Sequence, residues 1–403
     1  MNKRNRRKAK RRFFLTPDYY DYNLLAVIIL LIAFGLVILY SSSSYSAVAK
    51  TGDDMTYFKR QTLFAVLSLV GTIIASRFLS YRKLIPLSVF IYFGALALMA
   101  MVRFSPFGIE HNGARRWLKI GFEFQPSEVA KIGIIVFVPF IICKLGKEYK
   151  GIKGMLWPIL AGLAQALVCF TCTENMSTAL IIMLIDVLIV FVAHPKTIGF
   201  IIALLAGILI VIALVYWAVQ NAATGSFRFS RVLVWLHPDQ YSSSGGYQVM
   251  QGLYAIGSGG LFGKGLGNST QKLGSLPEAM NDMIFSIVCE ELGLLGGVLL
   301  LLLFGYLIYR LFFIAQNAPD RYSSLVVTGI MVHIALQVVL NVCVVCNLIP
   351  NTGVTMPFVS YGGTALIFIM CEMTIALSVS RSIKFKLNDQ ITDQINKKEN
   401  HYA

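Results

Sequence analysis

The sequence predicts an all-α, polytopic integral membrane protein of about ten transmembrane helices with two long extracytoplasmic loops. Three observations predict it. Of 403 residues, 56% are hydrophobic and only 14% charged, whereas soluble domains carry roughly a quarter charged residues. Apolar runs of about 18 to 25 residues recur along most of the chain, each long enough to cross a ~30 Å hydrocarbon layer as a helix. Lys and Arg gather in alternate connections, as they do on the inner side of a membrane.

The apolar runs centre near Ile29, Leu67, Phe93, Val136, Leu163, Leu184, Leu209, Leu300, Val339 and Ile369. Ahead of the first lies MNKRNRRKAKRR, with eight Lys or Arg and no acid, which holds the N-terminus in the cytoplasm. An even number of spans returns the C-terminus there, and Arg381, Lys384, Lys386, Lys397 and Lys398 fit that side. Residues 1–20 thus read as a basic cytoplasmic tail, 21–382 as the transmembrane domain and 383–403 as a second cytoplasmic tail, with outer loops at about 104–127 and 220–282. The first run is too long for a signal-peptide core and reads as an uncleaved anchor.

The net charge of +15 does not indicate nucleic acid, because the basic residues spread along one membrane side without a nucleic-acid motif. Anionic membrane lipids are the expected partner. Cys169/Cys172 and Cys343/Cys346 each form a CxxC, but inside apolar helices such thiols are small packing residues. The five histidines have no ligand spacing, so no built-in metal site is indicated.

Both outer loops break the charge rule or the helix pattern. The first reads RFSPFGIEHNGARRWLKIGFEFQPS and groups Arg115, Arg116 and Lys119 around Trp117. That cluster is either an interfacial anchor or an anion site. The second is rich in glycine from Gly257 to Gly267, which allows tight turns against the bundle or a close approach to a ligand. It is not a phosphate loop: Ser258 and Gly265 are the wrong residues for one, and no strand precedes it. Past Asp282, Glu290 and Glu291 lie about 10 Å along an apolar helix and must face protein or water. Asp186, inside another span, reads as a helix–helix polar contact. Glu128 and Lys131 read as an i,i+3 ion pair that could also line a cavity.

Three stretches together resemble the SEDS family, which includes FtsW, RodA and SpoVE. They are NGARRWLKIGFEFQPSEVAK at residues 112–131, GYQVMQGLYAIGSGGLFGKGLGNSTQKLGSLPEAMNDMIFSIVCEELGLLGG at 246–297 and LIPNTGVTMPFVSYGGTALI at 348–367. With the opening segment, TENMSTALII and QKLGSLPE, the likeness leans to FtsW and SpoVE. It implies ten helices and a peptidoglycan glycosyltransferase, serving cell division or sporulation septum and cortex synthesis. The implied substrate is lipid II, the undecaprenyl-pyrophosphate-linked disaccharide peptide, polymerised on the outer membrane face beside a class B penicillin-binding protein transpeptidase. It places the catalytic acid at Asp282 and the family's Arg-Arg-Trp at Arg115, Arg116 and Trp117. The chain has Met280-Asn281-Asp282 where the family usually reads His-Thr-Asp, so the acid stays while its neighbours change.

The chemistry suits these residues. Lipid II carries its own diphosphate leaving group, so one carboxylate, Asp282, suffices to deprotonate the acceptor hydroxyl as it attacks with inversion. Desolvation at a loop–helix junction would raise its pKa and make it a better base. Glu278 would bind sugar hydroxyls or stay solvated. Arg115, Arg116 and Lys119, with Lys264 and Lys272 from the other loop, are candidates to neutralise diphosphate. A divalent cation, Mg²⁺ or Mn²⁺, could share that load without an evident site. Ser360 and Tyr361 could cap the cavity floor or simply turn the chain into the last helix. Two other classes fit ten helices with intramembrane acids: a lipid II flippase or transporter, and a non-catalytic scaffold for the transpeptidase.

Overall fold

The computed structural model describes residues 19–111, 113–195, 233–241 and 246–384, with the single positions Gly199 and Leu209. In chain order the elements are α1 (Tyr22–Thr51), α2 (Thr56–Phe78), α3 (Leu84–Phe104), β1 (Gly108–His111), β2 (Ala114–Ile120), β3 (Phe122–Phe124) and α4 (Pro126–Leu145). They continue with α5 (Ile152–Thr173), α6 (Met176–Ala193), α7 (Gly246–Gly259), α8 (Ile284–Asn317), α9 (Arg321–Val345) and α10 (Gly363–Ser380). All of these helices except α4 and α7 are long and apolar enough to cross a membrane. The expected apolar centres fall inside α1–α6 and α8–α10, apart from the stretch around Leu209, which lies outside the described residues, as do the basic tails 1–18 and 385–403.

Helix ends follow local chemistry. The Asp21 carboxylate accepts from the Leu24 N–H at 2.9 Å to cap α1, and left-handed Gly52 (φ 76°) stops it. Asn175 caps α6 and Asp320 caps α9 by accepting the N–H three residues on, as short polar side chains do at helix starts. The fully buried residues Ile28, Ile135, Ile189, Leu300, Val327 and Met373 belong to one core, while Phe90, Phe93, Trp157 and Leu302 stay exposed on the outside. That inversion suits lipid, which solvates apolar side chains as well as another helix does. Two ion pairs tie buried groups across helices: Arg310 donates to Asp21 at 2.6 Å, joining α8 to the start of α1, and His333 meets Glu372 at 2.8 Å between α9 and α10. Asp186 departs from expectation. It packs against Gly162 of α5, but among the described residues neither carboxylate oxygen has a hydrogen-bond partner, so the hydrogen-bonded helix contact foreseen is not found there.

The first outer loop is not irregular. β1, β2 and β3 form an antiparallel sheet in that order, a small addition to the all-α class. Part of the second expected loop is likewise ordered as α7, packed against α8.

That packing depends on a broken helix. Gly293 (φ 69°, ψ −169°) interrupts α8, which frees the carbonyls of Glu290 and Glu291 and the N–H groups of Leu294 and Leu295. The 260–265 segment takes up all four: Lys264 and Gly265 donate to the carbonyls at 3.0 and 2.9 Å, and Leu294 and Leu295 donate to Gly260 and Leu261 at 2.9 and 3.2 Å. A backbone break at membrane depth is tolerated only when protein satisfies the freed groups. A Cβ on Gly293 would lie 2.4 Å from the Gly263 nitrogen and 2.4 Å from the Leu261 oxygen. Gly293→Ala is therefore expected to cost on the order of 3 kcal/mol through backbone strain and overpacking. A melting curve in detergent checks this, with a native-like midpoint counting against it.

Candidate active site

A cavity of about 1320 Å³ opens where the sheet, the starts of α4 and α6, and the loops before α8 and α10 converge. The sheet contributes Arg116, Trp117 and Lys119, α4 contributes Glu128 and Lys131, and the loop before α8 contributes Glu278, Asn281 and Asp282. Arg60 of α2 and Tyr361 add to the polar part of the wall.

A turn presents Asp282. Glu278 sits in the left-handed region (φ 54°), and its carbonyl accepts from Asn281 and Met283 N–H at 2.9 and 3.3 Å. Ser360 donates its hydroxyl to the Asn281 carbonyl at 2.7 Å and accepts from the Met356 N–H at 2.8 Å. The Tyr361 N–H donates to the Met280 carbonyl at 2.9 Å. Asn341 of α9 donates to the carbonyls of Asp282 and Val354, both at 2.8 Å. Two loops and a helix thus lock the acid's backbone. Its side chain is 7% exposed and faces the cavity, outside the membrane-spanning segment of α8. Burial, and then the charge of Glu278, push its pKa up to about 7. Below that value the acid form prevails, so a reaction needing the carboxylate should gain rate as pH rises through about 7. Glu278→Gln removes the second cause of the shift, and the acid limb of the rate profile should then move to lower pH. An unmoved limb would leave burial as the whole cause.

On the cationic side, Lys131 is almost fully buried and its ammonium meets the Glu128 carboxylate at 2.8 Å. Arg116 donates to the Glu174 carbonyl at 3.3 Å, and Lys119 lies 3.7 Å from Glu123. Among the described residues no group of three or more His, Cys, Asp or Glu side chains could hold a metal ion. The seven cysteines are free.

Compared with known proteins, the chain matches the Cell cycle protein family profile FTSW_RODA_SPOVE over residues 21–384. It belongs to this family. Stage V sporulation protein E of Bacillus subtilis is 35% identical over 368 residues, covering 91% of this chain and 98% of that one. The probable peptidoglycan glycosyltransferase FtsW of Trichlorobacter lovleyi is 33% identical over 366 residues, covering 91% and 94%. Among solved structures, a chain in a structure concerned with polymerization and crosslinking by a peptidoglycan synthase complex superposes with a TM-score of 0.74 at 27% identity, covering 90% of this chain and 98% of that one. The rod shape determining protein RodA of Thermus thermophilus does so at 0.65 and 27%, covering 91% and 98%.

Not every candidate read from this FtsW/RodA/SpoVE sequence reaches the cavity. Arg116, Trp117, Lys119, Glu128, Lys131, Glu278, Asp282 and Tyr361 line it. Arg115 turns back to donate to the Ser105 carbonyl at 2.7 Å and so braces the sheet on the end of α3. Lys264 and Lys272 are held by acids of α8: Lys264 meets Glu290 at 2.6 Å and Lys272 meets Glu291 at 2.7 Å. Buried carboxylates without those partners would be costly, so both lysines fasten the loop to the helix instead of facing the cavity. Ser360 works through the backbone bonds already described, beneath Tyr361. Sequence reasoning passed over Arg60 and Gln248. Arg60, in DDMTYFKRQ, breaks the outer charge rule as the first loop does, which is a usable signal. Gln248 sits in a polar stretch with no such mark.

Proposed function

We propose that this chain is a peptidoglycan glycosyltransferase that polymerises lipid II at the extracytoplasmic face of the cytoplasmic membrane. The observation that carries the proposal is Asp282, an acid poised near neutrality on the wall of a cavity lined by Arg60, Arg116, Lys119 and Lys131. The names of the relatives point to the same activity. At about 1320 Å³ the space exceeds the ~300–1,000 Å³ of ordinary ligand pockets, as two sugar units and a diphosphate require. The acceptor hydroxyl passes its proton to the Asp282 carboxylate while its oxygen attacks the anomeric carbon of the donor. The carbon–oxygen bond to diphosphate breaks, and undecaprenyl diphosphate leaves with its charge met by the guanidinium and ammonium groups. Configuration inverts in this single displacement.

Arg77, Lys144, Arg321 and Arg381 lie at helix ends away from the cavity. Their position supports a cytoplasmic side there, cytoplasmic termini and an outward cavity. A class B penicillin-binding protein transpeptidase is the proposed partner, since a similar chain occurs in a peptidoglycan synthase complex. The test supplies labelled lipid II to the purified chain with its candidate transpeptidase and resolves the products on a gel. Glycan polymer is expected. No polymer, with lipid II still crossing vesicle membranes, would replace the polymerase reading with the transporter.

A further inference from the structure

Asp282 receives a hydrogen bond whose direction is set several residues away. The Gly353 backbone N–H, which can only donate, gives its proton to Asn351 Oδ1 at 2.9 Å. That orients the Asn351 amide, and Nδ2 donates to Gln248 Oε1 at 3.2 Å. With its oxygen engaged, Gln248 must turn Nε2 toward Asp282, where it stands 3.4 and 3.5 Å from the two carboxylate oxygens. Both contacts are long, as catalytic hydrogen bonds often are before substrate binds. Amide orientations are commonly ambiguous, but here a main-chain donor at one end removes the choice.

We propose that Asn351 and Gln248 are positioning residues which, anchored on the Gly353 N–H, form a one-way relay that offers Asp282 a donor and holds it as the proton-accepting carboxylate. The consequence is asymmetric. A protonated Asp282 seeking an acceptor on Gln248 would have to reverse both amides and break the Gly353 bond. The relay therefore opposes burial and Glu278, the two influences that raise the pKa of the acid. The other charged groups facing the cavity are Arg60, Arg116 and the Lys119–Glu123 and Glu128–Lys131 pairs, which the variants below leave in place.

This inference rests on Asp282 being the base, and the experiment separates the two ideas. The full chain with its transpeptidase is assayed for polymerisation from about pH 5 to 9, with melting midpoints as the folding control. In parallel, the carboxylic C=O infrared band that Asp282→Asn removes is titrated. Gln248→Ala deletes the donor, and both the acid limb and the band midpoint should rise by on the order of one pH unit, an approximately tenfold rate loss at low pH that is recovered at high pH. Asn351→Asp leaves the shape but accepts only. Gln248 then points its NH₂ at the new carboxylate and its oxygen at Asp282, and the midpoint should again rise. Gln248→Lys restores a donor with added charge, and the midpoint should fall. Unmoved midpoints in the folded variants, or rates lowered equally at every pH, overturn the relay. An active Asp282→Asn overturns the base assignment instead, and the infrared midpoints still decide the relay.

Discussion

Asp282→Asn is expected to leave the fold intact and to lower the turnover of lipid II polymerisation by roughly 10²- to 10⁴-fold, the usual contribution of a positioned general base. The substitution is close to isosteric. Asn341 binds the main-chain carbonyl of residue 282, not its side chain, so the clamp on the loop survives. What disappears is the ability to take a proton in the pH range where the acid titrates, near 7. The measurement is single-turnover polymerisation with KM followed separately. A fall in turnover at nearly constant KM fits a base that acts in the transition state, whereas native turnover would remove Asp282 from the chemistry.

The second large effect should come from Lys131→Met. Lys131 is 1% and Glu128 9% exposed, with 2.8 Å between ammonium and carboxylate. Removing the cation leaves a desolvated Glu128 without its counter-charge, a loss that typically costs about 3–5 kcal/mol. Both groups border the cavity, where entering water would soften the penalty toward the lower figure. The melting midpoint should drop clearly. Adding Glu128→Gln to Lys131→Met should restore much of it by removing the stranded charge. Polymerisation should stay low in the double variant if Lys131 also meets the diphosphate. Recovered activity would make the pair purely structural.

The span pattern was legible because hydrocarbon thickness sets the length of an apolar run, and α1–α3, α5, α6 and α8–α10 obey that rule. Glu290 and Glu291 were legible as acids needing company for the same reason, since an apolar layer does not accept a lone charge. Their partners were not. Lys272 is 19 residues from Glu291 and Lys264 is 26 from Glu290, and only the return of the 260–272 loop onto broken α8 brings them together. Arg115 and Arg116 show the same limit at shorter range. Adjacent residues on a strand point to opposite faces, so one reaches the cavity while the other braces α3. That strand went unseen because its partners β1 and β3 are short, and a run as basic as ARRWLKI reads equally well as a headgroup anchor.

By itself, then, the sequence carried the membrane class, the apolar centres that fall in α1–α6 and α8–α10 and the family likeness, and it singled out Asp282 as the candidate acid. Each of these follows from composition or from contiguous residues. Only the tertiary structure decided which cations share a cavity with that acid and which are consumed by α8, and that Gln248, itself bonded to Asn351, comes within hydrogen-bond reach of it. Those relations join residues distant along the chain, and a hydrogen bond or ion pair depends on separation and angle in space, which no local pattern encodes.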